Sequence, residues 1–179
     1  LNWSYMAIPC KPKSLELVLS ALSHIDCKGL NITIPHKSNS IKYCIKVNKL
    51  AKEVEAVNTL IPHKEGGWLG DNTDVEGFIN PIKDIKNWKD EKALVIGCGG
   101  SAKAVVAGLK RLNIKKIMII SRNQNSLNHF IDSVNKNNLE NSVIESFLSK
   151  DDQIIELIKD ANLIINTTPV GMKGRELDS

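Results

Sequence analysis

Lys92-Ala93-Leu94-Val95-Ile96 is a short apolar run, and the six residues after it are Gly97-Cys98-Gly99-Gly100-Ser101-Ala102. This stretch constrains the fold more than any other part of the chain. The run reads as a buried strand, residues 97–100 as a tight loop, and residues 101–112 as an apolar helix. A G-x-G-x-x-A loop between strand and helix lets the backbone turn sharply and come close to a pyrophosphate. The helix start then offers N–H groups without helical acceptors and the positive end of a dipole. Gly97, Cys98, Gly99, Gly100, Ser101 and Ala102 are therefore candidate cofactor-binding residues. The alternative is a plain strand-to-helix turn in some other α/β domain.

Beyond this helix the chain keeps a regular rhythm. A second strand spans Lys116–Ser121, a helix about 125–137, a strand about 142–146, a helix 151–160 and a strand 162–166. Strands alternating with helices at this spacing indicate βαβ units and a parallel sheet. In an NAD-binding unit the second strand ends in Asp or Glu, which bonds the ribose 2′-hydroxyl. Here it ends Ser121-Arg122-Asn123, without an acid. Arg122 is one of three arginines against 21 lysines. A planar guanidinium pairs with phosphate in a way that lysine does not. The reading is that Arg122 binds the 2′-phosphate of NADP, with Ser121 and Asn123 beside it. The alternative is a solvated arginine after a strand.

The first half is less regular. Residues 2–9 are strand-like, and residues 12–23 read as a helix with Pro12 near its start. Residues 29–34 alternate and read as a strand ended by Pro35. Residues 37–55 are helical in pattern, in two pieces. Next come a strand over 56–62, a Gly66-Gly67 turn and a strand over Trp68–Asp71. Residues 74–86 read as a helix capped by Thr73 or Asp74. The composition turns polar at 87–91, which places a domain boundary between residues 88 and 89.

Composition excludes several classes. Hydrophobic residues are 42% and charged residues 25%, as in ordinary globular domains. No apolar run reaches the roughly 18–20 residues of a membrane span. The net charge of +4 is spread over scattered lysines, and aromatic residues are 4%, which argues against a nucleic-acid surface or a stacking platform. Cys10, Cys27, Cys44 and Cys98 show no metal-ligand spacing, and His24, His36, His63 and His129 are equally dispersed. No metal site is expected, and the cysteines read as free thiols of a reducing compartment. Neither end reads as a natural terminus, so the sequence is expected to be a piece of a longer chain.

Three further motifs complete a pattern. Residues 29–37 are Gly-Leu-Asn-Ile-Thr-Ile-Pro-His-Lys, residues 56–60 are Ala-Val-Asn-Thr-Leu, and residues 70–78 are Gly-Asp-Asn-Thr-Asp-Val-Glu-Gly-Phe. With the Gly97 loop and the Asn166-Thr-Thr-Pro-Val-Gly-Met172 stretch, in this order, the chain resembles the shikimate dehydrogenase family. The resemblance covers all 179 residues and corresponds to the middle two-thirds of a family member. It implies an α/β fold. It further implies an N-terminal α/β substrate domain, expected over 1–88, followed by an incomplete Rossmann-like, doubly wound NADP-binding domain, expected over 89–179, with the active site in the cleft between them. It implies NADPH-dependent reduction of 3-dehydroshikimate to shikimate, within chorismate and aromatic amino acid biosynthesis.

By motif, Lys37 and Asp74 correspond to the catalytic pair, and Asn31, Thr33 and Asn58 to residues that contact substrate. The resemblance puts Thr168 and Met172 near where the family flanks the nicotinamide. A lysine ammonium can polarise a ketone and give it a proton, and a carboxylate can orient that lysine and hold a substrate hydroxyl. The expected partner is a small molecule, with no nucleic acid and no membrane, and the chain is expected to be a monomer or a homodimer in the cytoplasm. Rival readings are a quinate/shikimate dehydrogenase with relaxed cofactor use, a non-catalytic nucleotide-binding fragment, and a domain of a fused pathway enzyme. The chain departs from the family at Glu55, where a glycine usually stands. It departs again at Ser126, where many members carry a second arginine, and at Cys98, a position often occupied by alanine.

Overall fold

The computed structural model describes residues 2–136 and 142–170. The chain divides into two compact units, residues 1–72 and 73–179.

In the first unit Pro12 opens a 3-10 turn over Pro12–Ser14, which runs into helix α1 at Leu15–Ser23. Leu15 and Leu19 are one turn apart on the same face, and both are buried. They join Ala51, Val57, Leu60 and Trp68 in one apolar cluster. Burying each leucine stabilises the unit by about 1.5–3 kcal/mol. The Trp68 Nε1–H also donates to the Leu19 carbonyl at 2.9 Å, so the buried indole leaves no orphan donor. The sheet comprises β1 (Leu30–Asn31), β2 (Cys44–Val47), β3 (Thr59–Pro62) and β4 (Trp68–Asp71) in the order β1-β3-β4-β2. The β1/β3 and β3/β4 pairs are antiparallel, and β2/β4 is parallel.

Helix α2 (Lys49–Glu53) connects β2 to β3 and is capped at both ends. The Asn48 side chain accepts the Ala51 N–H at its start, at 2.6 Å. At its end the Glu55 N–H donates to Lys52 O at 3.2 Å and the Ala56 N–H to Ala51 O at 3.1 Å. This is the Schellman arrangement, which puts the residue after the cap in the left-handed region. Glu55 takes that conformation, with φ 50°.

The second unit begins with α3 (Asp74–Ile79) and continues β5 (Lys92–Ile96), α4 (Gly100–Arg111), β6 (Lys116–Ser121), α5 (Gln124–Asn135), β7 (Val143–Leu148), α6 (Ile154–Asp160) and β8 (Leu163–Asn166). All strand pairs are parallel, in the order β7-β6-β5-β8. Both faces of the central strands β5 and β6 are covered, which is why these two read as continuous apolar runs. Ala93, Val95, Ile117 and Ile119 pack with residues of α4 and α5 on one face. Leu94, Met118 and Ile120 point the other way, against Leu157 of α6.

Several sequence expectations change in the structure. The boundary of the units falls at Asn72/Thr73, earlier than the expected 88/89. Residues of α3 and the segment after it belong to the second core. Gly108 of α4 lies so close to α3 that an added Cβ would be 2.7 Å from Phe78 Cδ1, and Trp88 is buried among Ala93, Val95 and Leu109. The strand-like run at 2–9 forms no regular element, because a strand exists by its ladder bonds and none is made there among the described residues. The strand expected over 29–34 is confined to Leu30–Asn31. The helical stretch 37–55 contains strand β2, flanked by a 3-10 turn at Asn39–Tyr43 and by α2. Helix α3 stops at Ile79 rather than 86; Asn80 keeps helical backbone angles, but Pro81 has no N–H with which to continue the ladder, and the chain goes on as turns.

Candidate active site

In the first unit, two backbone bonds fasten the segment after β1 to the start of β3. The Ile32 N–H donates to Asn58 O at 2.7 Å, and the Val57 N–H donates to Lys37 O at 2.9 Å. Asn31 also lies opposite Thr59 in the β1/β3 register. Asn31, Thr33, Lys37 and Asn58 are thereby brought together, although 27 positions separate the first from the last. Asn31 and Thr33 are exposed, Lys37 is half-buried and Asn58 is buried. The Thr59 hydroxyl donates to Asn58 Oδ1 at 2.9 Å, which holds the amide in place. Tyr5 OH donates to Asn31 Oδ1 at 3.2 Å. A cation, a hydroxyl and two amides on one framework suit a small, highly oxygenated molecule.

Behind this group the chain is tightly satisfied. The Asn58 N–H donates to Asp71 O at 3.0 Å, and Asn72, which is buried, donates through Nδ2 to Ala56 O at 2.9 Å. Asp71 accepts from the Asn48 side chain and from the Asn72 N–H. Cys44 donates its thiol to Ser40 O at 3.3 Å, and burial pushes that thiol's pKa up.

In the second unit, β6 and β7 lie on one side of β5 and β8 on the other. Such a reversal opens a crevice at the carboxyl ends of the central strands, where ligands of open α/β sheets bind. The Gly97 loop leaves β5 there, and Thr167 and Thr168 leave β8. Gly97 has φ 107°, and a Cβ on it would lie 2.6 Å from Thr167 Oγ1. Thr167 is held by two bonds to Ile96 O, from its N–H at 2.9 Å and its hydroxyl at 2.8 Å. Thr168 directs its N–H and hydroxyl to Asn166 Oδ1, at 2.9 and 2.7 Å.

This crevice fits a dinucleotide. A Cβ on Gly99 or Gly100 would meet nothing within 4 Å, so the space over the loop is open. No acid lies in the first turn of α4. Its first N–H groups, those of Gly100, Ser101 and Ala102, have no helical acceptors and point toward that space. Cys98 Sγ is 3.1 Å from Ser121 Oγ, which in turn accepts the Asn123 N–H at 3.3 Å. Asn123 caps α5 by accepting the Ser126 N–H at 2.9 Å. Arg122, between them, is exposed and has no ion-pair or hydrogen-bond partner among the described residues. Asp74 is the first residue of α3 and is half-buried. Met172 lies outside the described residues.

Residues 82–176 match the model of a family described as shikimate / quinate 5-dehydrogenase. The chain belongs to that family. Residues 1–60 match a second model, the shikimate dehydrogenase substrate binding domain. A shikimate dehydrogenase (NADP(+)) of Prochlorococcus marinus strain MIT 9301 is 49% identical over 173 residues, covering 97% of this chain and 59% of its own. The chain thus spans about three-fifths of the length of the shikimate dehydrogenases it matches. Among solved structures, a shikimate dehydrogenase in complex with NADP+ superposes with a TM-score of 0.83 at 27% identity, over 100% of this chain and 60% of that one. The shikimate 5-dehydrogenase of Listeria monocytogenes, solved with shikimate and NAD, gives a TM-score of 0.79 at 25% identity, over 96% and 60%.

Two neighbours of the site were not singled out from sequence. Thr167 walls the glycine loop, and its signal was available in the doubled threonine after β8. His36 sits beside Lys37 and is buried, a position that no periodicity marks in an irregular loop. Among the described residues no helix is long and apolar enough to cross a membrane.

Proposed function

We propose that the protein reduces 3-dehydroshikimate to shikimate with NADPH, in the cytoplasm. The observation that carries this reading is the fastening of the Lys37 loop to Asn58 by the Ile32 and Val57 N–H groups. It gathers a proton donor and polar substrate contacts on one rigid framework in a member of this family. Reduction of a ketone needs a hydride on carbon and a proton on oxygen. NADPH supplies the hydride when bound. The Lys37 ammonium polarises the ketone oxygen and gives it the proton. Asn31, Thr33 and Asn58 hold the substrate's hydroxyl groups, and the Asp74 carboxylate accepts from another. The α4 N-terminus takes the pyrophosphate and Arg122 the 2′-phosphate, so that NADP is preferred to NAD.

The test is an absorbance assay of the complete protein, offered shikimate or quinate with NADP or NAD. Rapid NADP reduction with shikimate is expected. In Lys37→Ala, turnover falls by about 10²–10⁴-fold while NADP binding persists. Comparable rates with quinate or NAD would move the assignment to a dehydrogenase of relaxed specificity. A folded, NADP-binding protein without turnover would refute it in favour of nucleotide binding alone.

A further inference from the structure

The residue next to Lys37 is the most buried ionisable side chain of this loop. His36 is 8% exposed, and its Nε2 lies 2.8 Å from the carbonyl oxygen of Cys10, 26 positions earlier in the chain. A carbonyl can only accept, so Nε2 carries a hydrogen and is the donor of this bond. Nδ1 is buried and has no hydrogen-bond partner among the described residues. The backbone of the same residue is bonded at both ends. The His36 N–H donates to Thr33 O at 2.8 Å, and His36 O accepts from the Ser40 N–H at 2.9 Å and the Ser40 hydroxyl at 3.0 Å. Thr33 and Lys37 flank this anchored point.

We propose that His36 is a positioning residue, whose Nε2–H clamps the loop bearing Thr33 and Lys37 to the Cys10 carbonyl while Nδ1 contributes nothing. The proposal deepens the dehydrogenase reading and rests on it for its kinetic part. The clamp completes what the Val57–Lys37 bond begins. That bond fixes the lysine backbone to the stretch before β3, and the imidazole fixes the neighbouring residue to the Cys10 segment. Proton donation depends on placement at the ångström level, so a loosened loop slows chemistry without touching the nucleotide half. A side chain that loses the Nε2 donor also leaves the Cys10 carbonyl without its partner.

The asymmetry of the two ring nitrogens supplies the test. Glutamine places its amide nitrogen near the position of Nε2, and asparagine places its own near Nδ1. In the complete protein, His36→Gln should keep turnover near that of the unsubstituted enzyme. His36→Asn and His36→Leu should each lower kcat about tenfold or more, with KM for NADP unchanged. Amide hydrogen exchange at Val57 and Ser40 should quicken in His36→Asn and His36→Leu but not in His36→Gln. A merely space-filling histidine would shift the melting temperature without this split. Equal behaviour of the Gln and Asn variants, or normal turnover in His36→Leu, overturns the proposal. If His36→Leu does not fold, the Gln and Asn pair decides. If the unsubstituted protein shows no shikimate turnover, the functional reading fails, while the exchange comparison still decides the clamp.

Discussion

Replacing Glu55 by glycine should stabilise the first unit, although the change removes a side chain and all its contacts. Glu55 follows the cap of α2 with φ 50°, in the left-handed region where a Cβ crowds the neighbouring carbonyl. The crowding costs about 1–2 kcal/mol. Glycine escapes it but frees the unfolded chain, which returns about 0.4–1 kcal/mol. The two bonds that close the helix, Glu55 N–H to Lys52 O and Ala56 N–H to Ala51 O, are backbone bonds and survive the change. The net gain is therefore about 0.5–1 kcal/mol, reduced by whatever the Glu55 carboxylate contributes through its own contacts. Glu55→Ala separates these effects, since it removes the carboxylate and keeps the Cβ. Glu55→Gly should exceed Glu55→Ala by about 1 kcal/mol. In urea unfolding followed by circular dichroism, this is a midpoint difference of about 0.5 M at an unchanged slope near 2 kcal/mol/M. An alanine variant as stable as the glycine variant would refute the argument, because the backbone conformation would then carry no cost.

The same geometry sets other outcomes. Gly97→Ala should cost about 2–4 kcal/mol and abolish NADP binding, because φ is 107° and the new Cβ would meet Thr167 Oγ1 at 2.6 Å. Thermal melting and nucleotide titration check the two parts separately. Arg122→Glu should raise KM for NADP far more than KM for NAD, and equal effects would remove Arg122 from 2′-phosphate recognition. Burial raises the Cys44 thiol above its usual 9.0 in the folded state, so the unfolded chain releases this proton first as the solution becomes alkaline. Its contribution to stability is complete below pH 9 and is lost as pH rises through the folded value. Urea midpoints measured from pH 8 upward should fall less steeply in Cys44→Ser than in the unsubstituted protein.

The second unit was legible because its central strands are buried on both faces and its helices begin at recognisable loops. Ala93 to Ile96 and Ile117 to Ile120 carry no polar interruption, and the glycines after β5 mark the turn directly. The first unit was less so. Strand β2 has intermediate or exposed residues throughout, and its Ile45 and Lys46 fit a helix face as well as a strand edge. What selects the strand is its pairing with β4, a contact between segments that local pattern does not contain. Residues 2–9 show the converse. Trp3, Tyr5 and Met6 favour a strand by type, yet they remain exposed without a ladder. Among the site residues, the motifs marked Lys37, Asn58 and the glycine loop. They did not show that His36 would be buried, nor that α3 and Asp74 would belong to the second unit, because both depend on packing partners far away in sequence.

The bond from the Val57 N–H to Lys37 O joins two stretches that are neighbours in space and strangers in the chain. The polar framework around Lys37 is therefore not portable as a linear segment. A peptide copying residues 29–37 would carry every atom of Asn31, Thr33 and Lys37 but lack the strand that sets their spacing. An antibody raised against such a peptide should recognise the unfolded chain better than the native one. Any attempt to graft this framework onto another scaffold must carry the 56–60 stretch with it.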